Sequence, residues 1–274
     1  MDNVRSAIIG GTGVYDPGIL SEKKYLDVDT PYGIVREVCV GKYNDCSVAF
    51  ISRHRIGHKT PPHLINYRAN IWALKKMGVE KVLATNAVGS TTESMRPGDF
   101  VIVDDLVDLT KSRKGTFFEG VGAGGVAHFD MTDPYCPSIR EILTESAKKL
   151  GIRYHERGVV AVTEGPRFET ATEIRDFQHR GFKLVNMTSA PEVFLAREAA
   201  MCYASVCMVT NFCTGVSKKP LREEEVFEVM QSNGSKIIDI FLGAVNKMYP
   251  ITGSCLCRSK DEPIKNILNL AYHN

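Results

Sequence analysis

Short apolar, β-branched runs alternate with longer amphipathic stretches along most of this chain, and that alternation constrains its fold more than any other feature. Ala7 to Ile9, Val35 to Val40, Ser47 to Ile51, Lys81 to Ala84 and Phe100 to Val103 each read as a short buried strand. Val159 to Val162, Leu184 with Val185, and Val206 to Val209 carry the same pattern. Between them lie helical periodicities. Pro62 to Met77 places Leu64, Ile65, Ile71, Trp72 and Leu74 inward and meets Gly78, as a helix closed by a glycine C-cap would. Pro137 opens a second helix, with Ile139, Ile142, Leu143, Ala147 and Leu150 inward and Gly151 at its end. Further helices are expected from about Thr170, from about Pro191 to Met201, and from Glu223 to Met248, the last interrupted or bent at Gly234. Such an order predicts a single α/β domain over residues 1–274, with a central mixed, largely parallel sheet flanked by helices. Sheets of this kind bind ligands in the loops beyond their strand ends. Residues 111–127, rich in glycine and polar side chains, read as a mobile excursion.

Charge narrows the partners. A formal net charge of +2 leaves no basic stripe for a nucleic acid. The N-terminus reaches Ala7 without an apolar leader, and no run approaches the roughly 18 apolar residues of a membrane span, so a cytoplasmic protein is expected. Of the eight cysteines, six are scattered among apolar neighbours and read as small buried hydrophobes. Cys255 and Cys257 form a C-x-C pair, open to a thiol or redox role; a zinc site would need two more ligands at a familiar spacing, and none is present, so no metal is expected.

Three loops that follow strands are rich in anion-friendly groups. Gly10-Gly11-Thr12-Gly13 offers close backbone approach and a hydroxyl, though a plain tight turn reads equally well. Arg53 and His54 supply a fixed cation and a directional donor, against the alternative of a solvated basic turn. Thr85 to Ser90 repeats the small and polar pattern. Neither the dinucleotide fingerprint nor the Walker lysine accompanies them.

Taken with Asn66 to Leu74, Glu164-Gly165-Pro166-Arg167-Phe168, and Asn186-Met187-Thr188 followed by Ala190-Pro191-Glu192, these segments resemble the methylthioadenosine phosphorylase branch of the trimeric purine nucleoside phosphorylase family. The likeness runs from about residue 5 to 248 and fades beyond. It implies a pentosyltransferase that splits a purine nucleoside with inorganic phosphate, without metal or organic cofactor, in a homo-oligomer that is a trimer or a dimer of trimers. It implies phosphate contacts from Thr12, Arg53, His54, Asn86, Ala87 and Thr188. Phe168 matches an aromatic beside the purine, Met187 a residue beneath the ribose, and His128 a residue lent to the neighbouring subunit. Asn86 replaces a threonine of the animal enzymes and keeps a donor there.

Two departures bear on the base. Thr210-Asn211-Phe212-Cys213 lacks the acids that meet a 6-amino group, and Glu169 stands where the adenine-specific enzymes carry serine. Both resemble phosphorylases of inosine and guanosine. A 6-oxopurine presents an acceptor at O6 and a donor at N1–H, which Asn211 and Glu169 complement. Singly, Glu169 could be a helix-start charge and Asn211 a turn residue. Glu223 falls where the methylthio group would lie and favours a 5′-hydroxyl, although three successive glutamates also suit a helix start. The expected activity is therefore cleavage of 6-oxopurine nucleosides for purine salvage, with a methylthioinosine or methylthioadenosine phosphorylase as the alternative and a non-catalytic nucleoside binder as the rival from another class.

Overall fold

In the chain's order the computed structural model contains β1 (Ser6–Gly10), β2 (Ser21–Thr30), β3 (Gly33–Tyr43), β4 (Cys46–Ser52), α1 (Tyr67–Lys76), β5 (Lys81–Ser90), β6 (Phe100–Ile102) and β7 (Asp105–Asp108). There follow α2 (Pro137–Lys149), β8 (Tyr154–His155), β9 (Val159–Val162), α3 (Ala171–His179), β10 (Leu184–Asn186), α4 (Glu192–Glu198), β11 (Cys202–Phe212) and α5 (Glu223–Val245). The described residues are 4–14, 18, 20–55, 59–120, 125–217, 220–248 and 255–258.

The strands form one mixed sheet in the order β2-β3-β4-β1-β5-β10-β9-β7, with β11, β6 and β8 branching from β5. β5 is the hub. Its first half pairs with β1, its last two residues with β10, and its whole length with β11. Alternation along β1 separates two cores: Ala7 and Ile9 join the one covered by α1 and α4, Ile8 the one covered by α2 and α5. α3 packs Ile174 and Phe177 on Ala161 and Val185 at the far side. Strands buried on both faces explain why Ala7 to Ile9 in β1 and Val206 to Val209 in β11 read as unbroken apolar runs.

The fold differs from the sequence reading in several places, the short strands β7 and β8 among them, and four bear on the argument. β2 escapes the pattern because Glu22, Lys23, Lys24, Asp27 and Asp29 leave only Val28 buried; it is a charged edge strand, which discourages pairing with another chain. The helix expected from Pro62 is a 3₁₀ turn (Pro62–Leu64) followed by α1, because the Asn66 side chain caps α1 by accepting from Ala69 N at 3.0 Å. α5 runs through Gly234 unbroken as far as Val245, where a 3₁₀ turn takes over. Gly234 passes beside the Gly13 carbonyl, 3.7 Å from where a Cβ would stand. The segment read as a mobile excursion is anchored over its first part: Arg113 donates to the carbonyls of Met187, Ala190 and Glu164 at 2.6–2.8 Å, and Glu198 accepts from Thr116 and Phe117. Residues 121–124 lie outside the described set.

Candidate active site

The loops after β1 and β4, the second half of β5 and the end of β11 border a cavity of about 370 Å³, within the range of small-molecule sites; Thr85 to Ser90, read from the sequence as a loop beyond a strand, continue β5 instead. Thr12, Arg53, His54, Asn86, Ala87, Phe168, Glu169, Met187, Thr188, Asn211 and Cys213 all line it. His128 does not; it is exposed on this chain. The Glu223 side chain lies outside the described residues; Leu221, Val226 and Phe227 line the cavity.

Arg53 is no solvated turn residue. Its side chain is 0% exposed, and Nε and Nη2 fork onto Glu192 at 2.7 and 2.6 Å while Nη1 donates to the Thr85 carbonyl at 2.8 Å. Burial works to discharge the guanidinium, but the adjacent Glu192 carboxylate outweighs it and raises the pKa of Arg53 above its ordinary value. Tyr203 donates its hydroxyl to Glu192 Oε1 at 2.7 Å, drawing off part of the carboxylate's charge. Three of the five guanidinium N–H groups are thereby engaged, which leaves two for an anion in the cavity. Gly11 makes this geometry possible, since a Cβ there would lie 2.4 Å from the Thr85 oxygen and 2.9 Å from Arg53 Nη1.

His54 Nδ1 lies 2.8 Å from the Thr60 carbonyl, and because a carbonyl only accepts, that nitrogen carries the proton. Asn86 is oriented from both sides. Ser205 donates to its Oδ1 at 2.7 Å, so its Nδ2 donates to Thr188 Oγ1, also at 2.7 Å. Having accepted there, the Thr188 hydroxyl has its own proton to give. Arg53, Asn86 and Thr188 thus present donors held in place before any anion arrives, while the Thr60 carbonyl fixes the His54 ring beside them through Nδ1–H.

The other half of the cavity is built for a flat heterocycle with a polar edge. Phe168 and Phe227, 40% and 36% exposed, supply aromatic faces at its lip. Glu169 is buried, and its Oε1 accepts from Thr163 Oγ1 at 2.6 Å. The helix-start acid here is Glu173 instead, which forms a capping box with Thr170 at the head of α3. Burial pushes the Glu169 carboxyl above the usual carboxylate range, against the lowering effect of the Thr163 hydrogen bond.

Asn211 sits at a bulge: Val209 pairs with Val88 but Asn211 with Gly89, so Thr210 is the extra residue that re-aims the strand end. Thr210 Oγ1 donates to Asn211 Oδ1 at 2.7 Å, and Nδ2 donates to the Phe212 carbonyl at 3.1 Å, leaving one amide N–H for a ligand. Gly89 makes room for this edge, because a Cβ would stand 2.7 Å from Cys213 Sγ and 3.2 Å from Asn211 Nδ2. Burial raises the Cys213 thiol's pKa, so it lines the wall as a neutral group.

Sequence reasoning assigns no role to Glu192, Tyr203, Ser205 or Thr163, which orient the lining groups. Ser205 left one trace, a small hydroxyl inside the apolar stretch Ala204 to Val209 of a central strand. Ser205→Ala is expected to leave Asn86 Oδ1 buried without its donor, to cost about 1–3 kcal/mol of stability, and to raise the phosphate KM several-fold as the amide loses its orientation. Thermal melts and phosphate titrations check both effects, and an unchanged phosphate KM would detach Ser205 from the anion cradle.

A doubly covered α/β sheet carrying an anion cradle next to a heterocycle slot defines the class: an enzyme that brings an oxyanion and a nucleoside-like molecule together. Residues 5–246 match the Phosphorylase superfamily, and the chain belongs to it. It is 52% identical over 254 residues to a probable 6-oxopurine nucleoside phosphorylase of Moorella thermoacetica, covering 93% of this chain and 96% of that one. It is 49% identical to the 6-oxopurine nucleoside phosphorylase of Pyrococcus furiosus over the same shares. Among solved structures, the methylthioadenosine phosphorylase of Schistosoma mansoni in complex with adenine superposes with a TM-score of 0.85 at 34% identity, covering 89% of this chain and 91% of that one. The protein is accordingly a pentosyltransferase of the nucleoside phosphorylase kind.

Proposed function

We propose that the cavity cleaves 6-oxopurine nucleosides such as inosine and guanosine with inorganic phosphate, yielding the free base and ribose 1-phosphate. The observation that carries this reading is the presence in one cavity of Glu169, an oriented buried acceptor, and Asn211, which retains an amide donor. Phosphate held by Thr12, Arg53, His54, Asn86, the Ala87 backbone and Thr188 attacks C1′ as the C1′–N9 bond breaks. The bond's electron pair leaves with the purine, and positive charge builds on the sugar as in other glycosyl transfers with oxocarbenium-like transition states. The phosphate compensates that charge. Asn211 stabilises the departing base at O6 and N7, and Glu169 accepts from N1–H and from the 2-amino group of guanine. The proton that monohydrogen phosphate loses on becoming the sugar ester is taken up by the departing purine, so atoms and electrons balance without metal, hydride carrier or covalent intermediate, with phosphate as the sole co-substrate.

Apolar Leu221, Val226 and Phe227 favour a second reading of the 5′ end, in which the nucleoside carries a methylthio group. Incubation with phosphate and a panel of inosine, guanosine, adenosine, methylthioadenosine and methylthioinosine separates the possibilities. Phosphate-dependent release of hypoxanthine or guanine is expected, and release of none of the bases would leave the nucleoside-binder reading.

Glu169 also gives the pH dependence a sign. Burial raises the pKa of its carboxyl, and the ionised form accepts from N1–H much more strongly than the neutral acid, so kcat/KM for inosine should fall on the acid side at a higher pH than an ordinary carboxylate would give. Glu169→Gln should lose that acid limb along with most of the activity. For stability the sign is opposite: a raised folded-state pKa makes the ionised acid a burden above it, so Glu169→Gln should melt slightly higher than the parent at neutral pH. A pH profile left unchanged by the substitution would remove Glu169 from the base edge.

Localisation follows the same reading: no helix among the described residues is long and apolar enough to cross a membrane, and salvage of free nucleosides suits the cytoplasm. We place the active form as a homo-oligomer, trimer or dimer of trimers, because His128 is exposed here and away from its own cavity, as a residue lent to a neighbour would be. An enzyme fully active while sedimenting as a monomer would overturn that assignment.

A further inference from the structure

Four of the eight cysteines converge at the end of the sheet away from the cavity. Cys136 is the N-cap of α2, Cys202 is the first residue of β11, and Cys255 and Cys257 flank exposed Leu256 at a 3₁₀ turn (Leu256–Arg258). All four Sγ atoms lie within 4.8 Å of one another, and those of Cys202 and Cys255 are 3.5 Å apart. A backbone hydrogen bond from Cys136 N to the Tyr203 carbonyl, 2.8 Å, keeps the first two elements in place.

The spacing separates the chemistries available to such a cluster. A disulfide needs sulfurs about 2.05 Å apart, and all eight cysteines are free thiols. A tetrahedral zinc ion with Zn–S bonds near 2.3 Å holds its four sulfurs about 3.8 Å apart, close to what is seen here. Mutual proximity of four sulfurs from three separate elements is the shape of a tetrahedral ligand set, whereas cysteines serving as small hydrophobes would each pack against carbon. The surroundings suit a cluster of negative sign. The positive end of the α2 dipole points at Cys136, and Lys81 stands directly beside Cys202 in the β5–β11 pairing.

We propose that Cys136, Cys202, Cys255 and Cys257 bind one zinc ion, and that this site staples the segment after α5 to the base of β11 and to the start of α2. Metal capture would release the four thiol protons to solvent and leave four thiolates on the ion. Four protein ligands close the coordination sphere, so the site is structural. Cys202 and Asn211 stand near opposite ends of β11, roughly 30 Å apart at strand rise, which keeps the metal out of the reaction. Residues 5–246 carry the family match, so half of the ligand set lies outside it.

Elemental analysis of the full chain, purified without chelator, tests the site. About one zinc per chain is expected, with the double variant Cys255→Ser/Cys257→Ser losing the metal and melting roughly 5–10 °C lower. Should that variant fail to accumulate, the parent chain stripped of zinc and loaded with cobalt(II) should show the intense visible ligand-field bands of a tetrahedral tetrathiolate. A parent chain that holds no zinc and gives no such cobalt spectrum overturns the proposal. So does mass spectrometry of the unreduced protein that finds these four cysteines joined as disulfides.

Discussion

Arg53→Ala should raise the KM for phosphate about 100-fold or more while moving the KM for nucleoside only a few-fold. A dianion held by a guanidinium through charge-assisted hydrogen bonds loses on the order of 3 kcal/mol when those donors go, and that energy corresponds to about two decades of affinity. The same change strands Glu192, which is 0% exposed and would keep only Tyr203 as its hydrogen-bond donor among the contacts described above. Removing one partner of a buried ion pair typically costs about 3–5 kcal/mol, so a lower melting temperature should accompany the kinetic defect. Arg53→Lys separates the two effects: it keeps the charge but cannot fork onto Glu192, so it should fold better than the alanine variant and still bind phosphate about 10-fold more weakly than the parent. A phosphate KM unchanged in both variants would take Arg53 out of the anion site.

Inosine and guanosine should be preferred over adenosine by roughly 10⁴ in kcat/KM, because a site built around buried polar groups rejects a ligand that leaves them unpaired. Adenine would set N1, an acceptor, against the Glu169 carboxylate, and its 6-amino donor against the Asn211 amide N–H. Converting the edge with Glu169→Ser and Asn211→Asp should move that ratio toward 6-aminopurines. The gain should be incomplete for a reason visible in the local bonding. Asn211 Nδ2 donates to the Phe212 carbonyl at 3.1 Å, and an aspartate oxygen in its place would face that carbonyl lone pair to lone pair. The carboxylate must turn away, losing part of its aim. Adenosine turning over as efficiently as inosine in the parent enzyme would overturn the assignment of both residues.

What could be read without a structure was whatever local periodicity encodes. Strands buried on both faces announce themselves as apolar runs, so β1, β4, β5, β9, β10 and β11 and the loops beyond them were legible. β2 was not, because an edge strand that buries only Val28, with Leu26 half-buried beside it, among charged side chains shows too little apolar alternation. Most of the candidate site was legible for a related reason: in such a sheet the strand ends and the loops beyond them are brought together by topology, so Arg53 after β4 shares one cavity with Asn86 in β5 and Asn211 in β11 wherever they fall in the chain.

Tertiary structure alone decided which of those groups has a donor to spare. Arg53 meets Glu192 across 139 residues and Asn86 meets Ser205 across 119, separations that leave no spacing pattern to find. The four convergent thiols make the same point in a sharper form. Cys255 and Cys257 form an incomplete ligand pair along the chain, because their partners Cys136 and Cys202 reach them only through space. A strand or helix is specified by neighbours a few residues away, and the sequence by itself could determine those; a hydrogen-bond network or a ligand set is specified by whichever side chains the packed elements bring into contact, and only the folded chain decides that.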